Sequence, residues 1–187
     1  VALNENALID IAYLDSMQSH DMAAEDDAFA EELINQASAM AERYCGRVLA
    51  SRSVSSVVDA PGGSALVLPE YPVSAVTAVY LDTAREFGAT TEITDYYLEE
   101  STGILFRDAG YGSGVRVVKV VYTAGYSPVP SDLQEAVVEL VHWLWSRHRT
   151  QSIGIRVSRG LDGVETEHEL TMPLATQRVL GQYRRIA

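Results

Sequence analysis

The apolar residues of this chain change their spacing twice. Between Asp27 and Cys45 they return every three or four positions: Phe29, Leu33, Ala37, Met40 and Tyr44 make one stripe on a helix. Beyond Gly46 the spacing drops to two. Residues 51–59 alternate serine with valine, Val73 to Asp82 alternates after Pro72, and Val115 to Thr123 is β-branched almost throughout. From Ser131 the helical spacing returns, with Leu133, Val137, Leu140, Val141, Leu144 and His148 on one face. A single all-α or all-β layer cannot satisfy both periods. The five or six strands are joined by short loops, so they pair mostly antiparallel; parallel pairing needs crossovers of a dozen residues or more. The expectation is an α+β protein: a helical bundle with an inserted antiparallel β region. Its segments are N-terminal helices over 1–49, the β region over 50–126, a bundle helix over 127–149, and an arm with a C-terminal helix over 150–187.

Local signals sharpen these boundaries. A short first helix is expected near Glu5 to Met17, carrying Leu8, Ile11 and Leu14 or Tyr13. Asp26 or Asp27 can cap the second helix, and Gly46 stands where a left-handed C-cap residue belongs. Pro61-Gly62-Gly63 marks a turn, and Glu100-Ser101-Thr102-Gly103 a hairpin with a positive-φ glycine. Val115 to Thr123 reads as the most buried strand, covered on both faces. Ser131 and Gln134 suggest a capping box just after Pro130. Residues 150–170, with the Asp162-Gly163 turn, read as a hairpin or an extended arm, and a last helix follows Pro173.

Charge decides which functions to consider. Twenty-six acids face fourteen bases, a net charge of -12. Residues 1–100 sum to -14, and the remaining residues to +2. A tight nucleic-acid binder needs a basic footprint, so that class is disfavoured. No run reaches the roughly 18 to 20 apolar residues of a membrane helix. Val1 to Asp10 lacks the basic and apolar regions of a signal peptide, and Cys45 has no partner for an internal disulfide. These features suggest a soluble chain assembled in a reducing cytoplasm.

A catalytic constellation does not emerge, and no cofactor or metal is expected. His20, His142, His148 and His168 are scattered; His142 and His148 fall on different sides of one helix and cannot chelate as an i,i+4 pair. Gly110-Tyr111-Gly112-Ser113-Gly114 superficially resembles a phosphate loop, but a strand follows it instead of a helix, so a flexible hairpin tip is expected. Cys45 reads as a buried inert thiol. Asp21, Glu25, Asp26, Asp27, Glu31 and Glu32 lack calcium-loop spacing. They suit a solvated helix start, or a negative surface facing a DNA channel. Trp143 and Trp145 widen the apolar face of their helix beyond half its circumference, which marks either a central helix or a shared subunit interface.

Four stretches in order carry a family resemblance: Ala37 to Arg47 (ASAMAERYCGR), Tyr71 to Asp82 (YPVSAVTAVYLD), Val117 to Tyr126 (VVKVVYTAGY) and Pro130 to Leu140 (PSDLQEAVVEL). With them the chain resembles the head-tail connector, or adaptor, proteins of tailed double-stranded DNA phages and related gene transfer particles, over about residues 5–150 and more loosely beyond. The resemblance implies a structural virion protein, not an enzyme. It implies a ring of identical subunits, commonly a dodecamer, beneath the portal protein, extending the channel through which DNA passes without specific binding and docking a stopper or tail-completion protein. A tail terminator or another ring-forming tail component is the alternative. The resemblance also implies that the C-terminal segment reaches the portal. Arg178, Tyr183, Arg184 and Arg185 are then the candidate portal contacts, with Leu174, Leu180, Tyr183 and Ile186 as one apolar edge; so short a helix needs a partner surface, and the chain's own bundle is the alternative. Such a protein would be assembled in the bacterial host and reside in the virion at the head-tail interface, away from membranes.

Overall fold

The computed structural model describes residues 2–17, 27–150, 157–159, 165–167 and 171–185. Its elements, in order, are α1 (Ile11–Met17), α2 (Asp27–Cys45), β1 (Arg52–Pro61), β2 (Ala65–Val67), β3 (Val73–Leu81), β4 (Glu92–Ile93), β5 (Tyr97–Glu99), β6 (Ile104–Phe106), β7 (Ser113–Ala124), α3 (Ser131–Thr150), β8 (Val157–Arg159), β9 (Glu165–Glu167) and α4 (Leu174–Gln182). The fold is mixed α+β, and every strand pair is antiparallel. The chain divides into two units: Val1–Gly46 with Val129–Ala187, and Arg47–Pro128.

In the first unit α3 packs against α2 and α4, and α2 also meets α1 and α4. Leu133, Val137, Leu140 and Val141 of α3 are fully buried. On α2 the buried face is Leu33, Ile34, Ala37, Ala41 and Cys45, turned from the stripe read in the sequence. Beside that face α2 clamps the N-terminal segment with polar side chains. Asn35 accepts from the Asn4 amide at 2.9 Å and donates to the Ala2 carbonyl at 3.1 Å. Ser38 Oγ accepts from the Leu8 amide at 3.1 Å. Buried polar groups survive when satisfied in this way. The segment stays non-helical until Asp10 Oδ1 accepts the Tyr13 amide at 2.7 Å, so α1 starts at Ile11 and not near Glu5.

Both ends of the long helices obey local chemistry. Gly46 adopts φ +68° and its amide donates to the Glu42 carbonyl at 2.8 Å, a left-handed C-cap. At the start of α3 the first i→i−4 bond runs from Gln134 to Pro130, and Asp132 Oδ1 accepts the Leu133 amide at 2.9 Å. The helix therefore begins one residue earlier than a Ser131 capping box requires.

The second unit holds a four-stranded sheet in the order β1-β7-β3-β4 and a three-stranded sheet in the order β2-β6-β5. β7 is the longest strand and lies between β1 and β3. Val118, Val120, Tyr122 and Ala124 are fully buried, while Lys119, Val121 and Thr123 between them are only half-buried. The strand is central in its sheet but is not covered on both faces, because the other sheet packs on one side only. Leu66, Leu68, Leu105 and Tyr111 complete the core against it. Gly125 ends β7 at φ +105°, and a Cβ there would lie 2.5 Å from the Ala50 carbonyl oxygen. Only glycine fits so close a backbone approach.

The glycine-rich stretch 110–114 is no free hairpin tip. Gly110 and Gly112 take positive φ on either side of Tyr111, whose ring is buried in the core. The Tyr111 amide donates to the Gly63 carbonyl, and the Gly62 amide to the Gly112 carbonyl, at 3.0 and 2.7 Å. A large apolar ring at the centre turns the loop into a fastener. In the C-terminal stretch β8 and β9 pair antiparallel as the arms of a hairpin; Asp162 and Gly163 lie outside the described residues.

Candidate functional site

Three of the four stretches that carry the resemblance each give one residue to a cluster in the second unit. Arg47, following the Gly46 cap, lies 7% exposed. Its guanidinium carbon is 4.5 Å from the Tyr71 ring centroid and 5.5 Å from that of Tyr126. Nη2 donates to the Tyr126 hydroxyl at 2.7 Å, and Nη1 to the Tyr71 carbonyl at 3.4 Å. Each of the three residues comes from a different stretch, so three of the motifs share one packing contact. A planar cation between two π faces suits arginine and not lysine. Beside it, Glu70 Oε2 accepts the Val48 amide at 2.8 Å. The arrangement has the chemistry of a structural clasp.

Asp82 is a second device of the same kind. Its carboxylate accepts the amides of Phe87, Ala84 and Glu86 at 2.9, 2.8 and 2.9 Å. Those amides, Phe87 first, hold its pKa below the ordinary value of 3.8, against the opposing effect of burial. Arg85 and Phe87 take positive φ inside this turn.

The candidate surfaces named from sequence are distributed as follows. Trp143 and Trp145 are half-buried near the end of α3. Arg147 stands 4.7 Å over the Trp143 ring and Arg149 5.3 Å over the Trp145 ring. His148 lies against Phe29, with ring centroids 4.8 Å apart. Asp27, Glu31 and Glu32 occupy the start of α2, where Glu32 accepts from Gln36 at 3.1 Å. Asp21, Glu25, Asp26, His20 and His168 lie outside the described residues. Among the described residues no group of three His, Cys, Asp or Glu side chains is placed to hold a metal, and no helix is long and apolar enough to cross a membrane.

The last helix is docked on its own chain. Leu180 and Thr176, four residues apart on α4, are fully buried. Thr176 Oγ1 donates to Glu139 Oε2, and the Tyr183 hydroxyl to Asp132 Oδ1, each at 2.6 Å. The buried Cys45 thiol donates to the Leu180 carbonyl at 3.4 Å, and the Arg185 amide to the Cys45 carbonyl at 2.8 Å. Leu180 and Tyr183 are therefore not a free apolar edge with Leu174, which points into solvent; Ile186 lies outside the described residues. Arg178, Arg184 and Arg185 are exposed.

One surface escaped the sequence reading. Cross-strand pairing puts Ala65, Phe106 and Tyr97 in one row and Val67, Ile104 and Glu99 in the next, on the outer face of the β2-β6-β5 sheet. Val67, Tyr97 and Phe106 are 65%, 66% and 40% exposed. The signal was present in the consecutive apolar triplets Ala65-Leu66-Val67 and Ile104-Leu105-Phe106, which cannot hide both parities against one core.

In chain order, a sheet-built unit is inserted into a helix-built one, and its connecting motifs are turns, caps and clasps. These features define a mixed α+β protein whose connecting motifs are structural. The chain belongs to the head completion protein family, whose model matches residues 7–186. Among solved structures, its fold is similar to a chain in the neck of an empty gene transfer agent (GTA) particle computed with C6 symmetry: TM-score 0.66, 21% identity, covering 100% of this chain and 94% of that one. It is also similar to a chain in the neck of a native GTA particle computed with C12 symmetry: TM-score 0.65, 21% identity, covering 100% and 93%. A chain in the virion of a native GTA particle gives 0.64 at 21% identity, covering 100% and 94%. No curated protein matches the sequence.

Proposed function

We propose that this chain is a structural virion protein of the head-tail neck. It acts as a connector that closes into a ring beneath the portal protein, continues the DNA channel and receives a stopper or tail-completion protein. The observation that carries this reading is the head completion family match over residues 7–186, in a fold shared along its whole length with neck proteins of GTA particles. The symmetries of those necks, sixfold and twelvefold, suit a ring of this chain, with twelve copies as the expected number. Repetition of one head-to-tail contact whose rotation closes produces such a ring. The role is non-enzymatic, and its place is the virion after assembly in a bacterial host. The head-side name of the family favours a connector over a tail terminator.

The surfaces divide the work. Trp143 and Trp145, with the β unit, take part in contacts between subunits. The acids at the start of α2, Asp27, Glu31 and Glu32, together with Asp21, Glu25 and Asp26, contribute negative potential toward the channel, so DNA slides without sticking. The portal contact uses the outward side of the C-terminal segment. Arg178, Arg184 and Arg185 pair with portal carboxylates at the rim, and Tyr183 holds α4 in place through Asp132. The helical elements serve as the bundle that presents these surfaces.

Mass spectrometry of purified particles tests the reading. The chain should be present in a fixed ratio to the portal protein, with about one copy per portal subunit for a matching ring. Its absence from intact particles would end the proposal.

A further inference from the structure

We propose that the outer face of the β2-β6-β5 sheet docks on the tryptophan–arginine end of α3 in a second copy of this chain. This inference rests on the ring reading above and names the surfaces that would close it. The sheet face is apolar where an uncovered antiparallel sheet is ordinarily polar: Val67, Tyr97 and Phe106 project outward around half-buried Ile104. The inner face of the same strands, Leu66, Leu105 and Leu98, already serves the core. The outward residues are therefore not spare core, and they stand exposed.

Charge chooses that molecule. The stretch from Glu92 to Gly103, which edges the patch, carries Glu92, Asp95, Glu99 and Glu100 and no base. Asp95 is matched by Arg107 at 2.9 Å, while Glu99 shares the apolar face itself, opposite Ile104. The end of α3 is the reverse. Residues 143–150 carry Arg147 and Arg149 and no acid, and both guanidinium groups stack on indole rings. Aromatic and arginine side chains are the groups that anchor interface centres, and Glu99 on the patch is opposite in charge to Arg147 and Arg149 on the helix end, beside which the Phe29–His148 contact also brings the acidic start of α2. Patch against patch would bring Glu99 carboxylates together and form a closed twofold pair. Patch against α3 is heterologous and can repeat around a ring.

The geometry allows a mixing test on the full chain. Sedimentation velocity should show reversible, salt-sensitive association of the wild-type chain. Tyr97→Ala should weaken it by about tenfold, as loss of an interface aromatic does. Glu99→Arg alone and Arg149→Glu alone should sediment as monomers, with unchanged circular dichroism. An equimolar mixture of the two should associate again. In it, the altered patch meets the altered helix end, and the unaltered patch meets the unaltered end. Three results would overturn the proposal: a wild-type chain that stays monomeric to about a millimolar, association untouched by Tyr97→Ala, or a mixture that stays as dissociated as its components. The last would be expected of a patch that meets a different protein, whereas a patch that meets its own copy would leave Arg149→Glu associating like the wild type, which would overturn the proposal as well. Failure here with the chain still present in particles would leave the neck reading standing. Absence from particles would remove that reading without altering this measurement.

Discussion

Replacing Arg47 tests the clasp that joins the motif segments. Arg47→Ala removes two buried methylenes, about 1.6 kcal/mol of apolar burial. It removes a cation stacked between two rings, about 2 kcal/mol when desolvated, and the charge-assisted bond to Tyr126, about 2 kcal/mol. Against these stands relief of the guanidinium's desolvation, several kcal/mol in a site this buried. The expected net loss is about 3 kcal/mol, or about 10 °C in Tm for a chain of this length. Arg47→Met keeps the stem and sheds the charge, and should cost about 1 kcal/mol. Arg47→Lys keeps a buried charge without the planar fork and should cost about 2 kcal/mol. Unfolding followed by circular dichroism in the strand region reads the second unit. Fluorescence of Trp143 and Trp145, both in α3, reads the first. A methionine variant as stable as the parent would refute the reasoning, because stack and hydrogen bond would then contribute nothing net. A lysine variant equal to the parent would refute the claim for the fork.

Gly125→Ala should lower stability by about 3 kcal/mol, since it combines a strained φ with a clash against the Ala50 carbonyl; thermal unfolding checks this, and an unchanged Tm would contradict the backbone approach. Tyr111→Phe should be neutral or stabilising, because the hydroxyl is buried without a hydrogen-bond partner. Burial pushes that phenol up to about 12. Its contribution is complete below the unfolded value of 10 and is lost as pH rises toward 12, so the phenylalanine variant should resist alkaline unfolding better. The carboxyl of Asp82 is held below its ordinary value of 3.8. Its hold on the amides of Ala84, Glu86 and Phe87 is complete above that value and is lost as pH falls through the lower folded-state pKa, which amide NMR across an acid titration should show as late release. Reversal of Arg178, Arg184 and Arg185 to glutamate should leave a folded protein that no longer joins portal-containing heads. Normal incorporation would move the portal contact elsewhere.

The period of the apolar residues was enough to place α2, α3 and most strands, because helix stripes, strand alternation and caps such as Gly46 are local. What depended on partners was not legible. The two-sided burial expected for β7 assumed a second cover that the other sheet supplies on one face only. Tyr111 looked like a loop residue because its glycines mark a turn, and nothing nearby in sequence tells that its ring enters the core. The segments of the resemblance could be quoted as strings, but the contact of Arg47 with Tyr71 and Tyr126 exists only after β3 and β7 pair. A nine-residue helix is marginal alone, so α4 called for a partner surface, but its own sequence does not choose between another protein and its own chain; the surface that supports it, around Cys45, Asp132 and Glu139, lies far away in the chain.

The central claim is that this chain forms a ring in the neck of a particle. Electron cryomicroscopy of isolated particles, with this chain traced in the map, tests it most directly. The expected map shows one closed ring of identical copies between portal and tail, each contacting the next through one repeated heterologous surface. A map in which the chain is missing from the neck, or sits there as isolated copies touching none of their own kind, would contradict it.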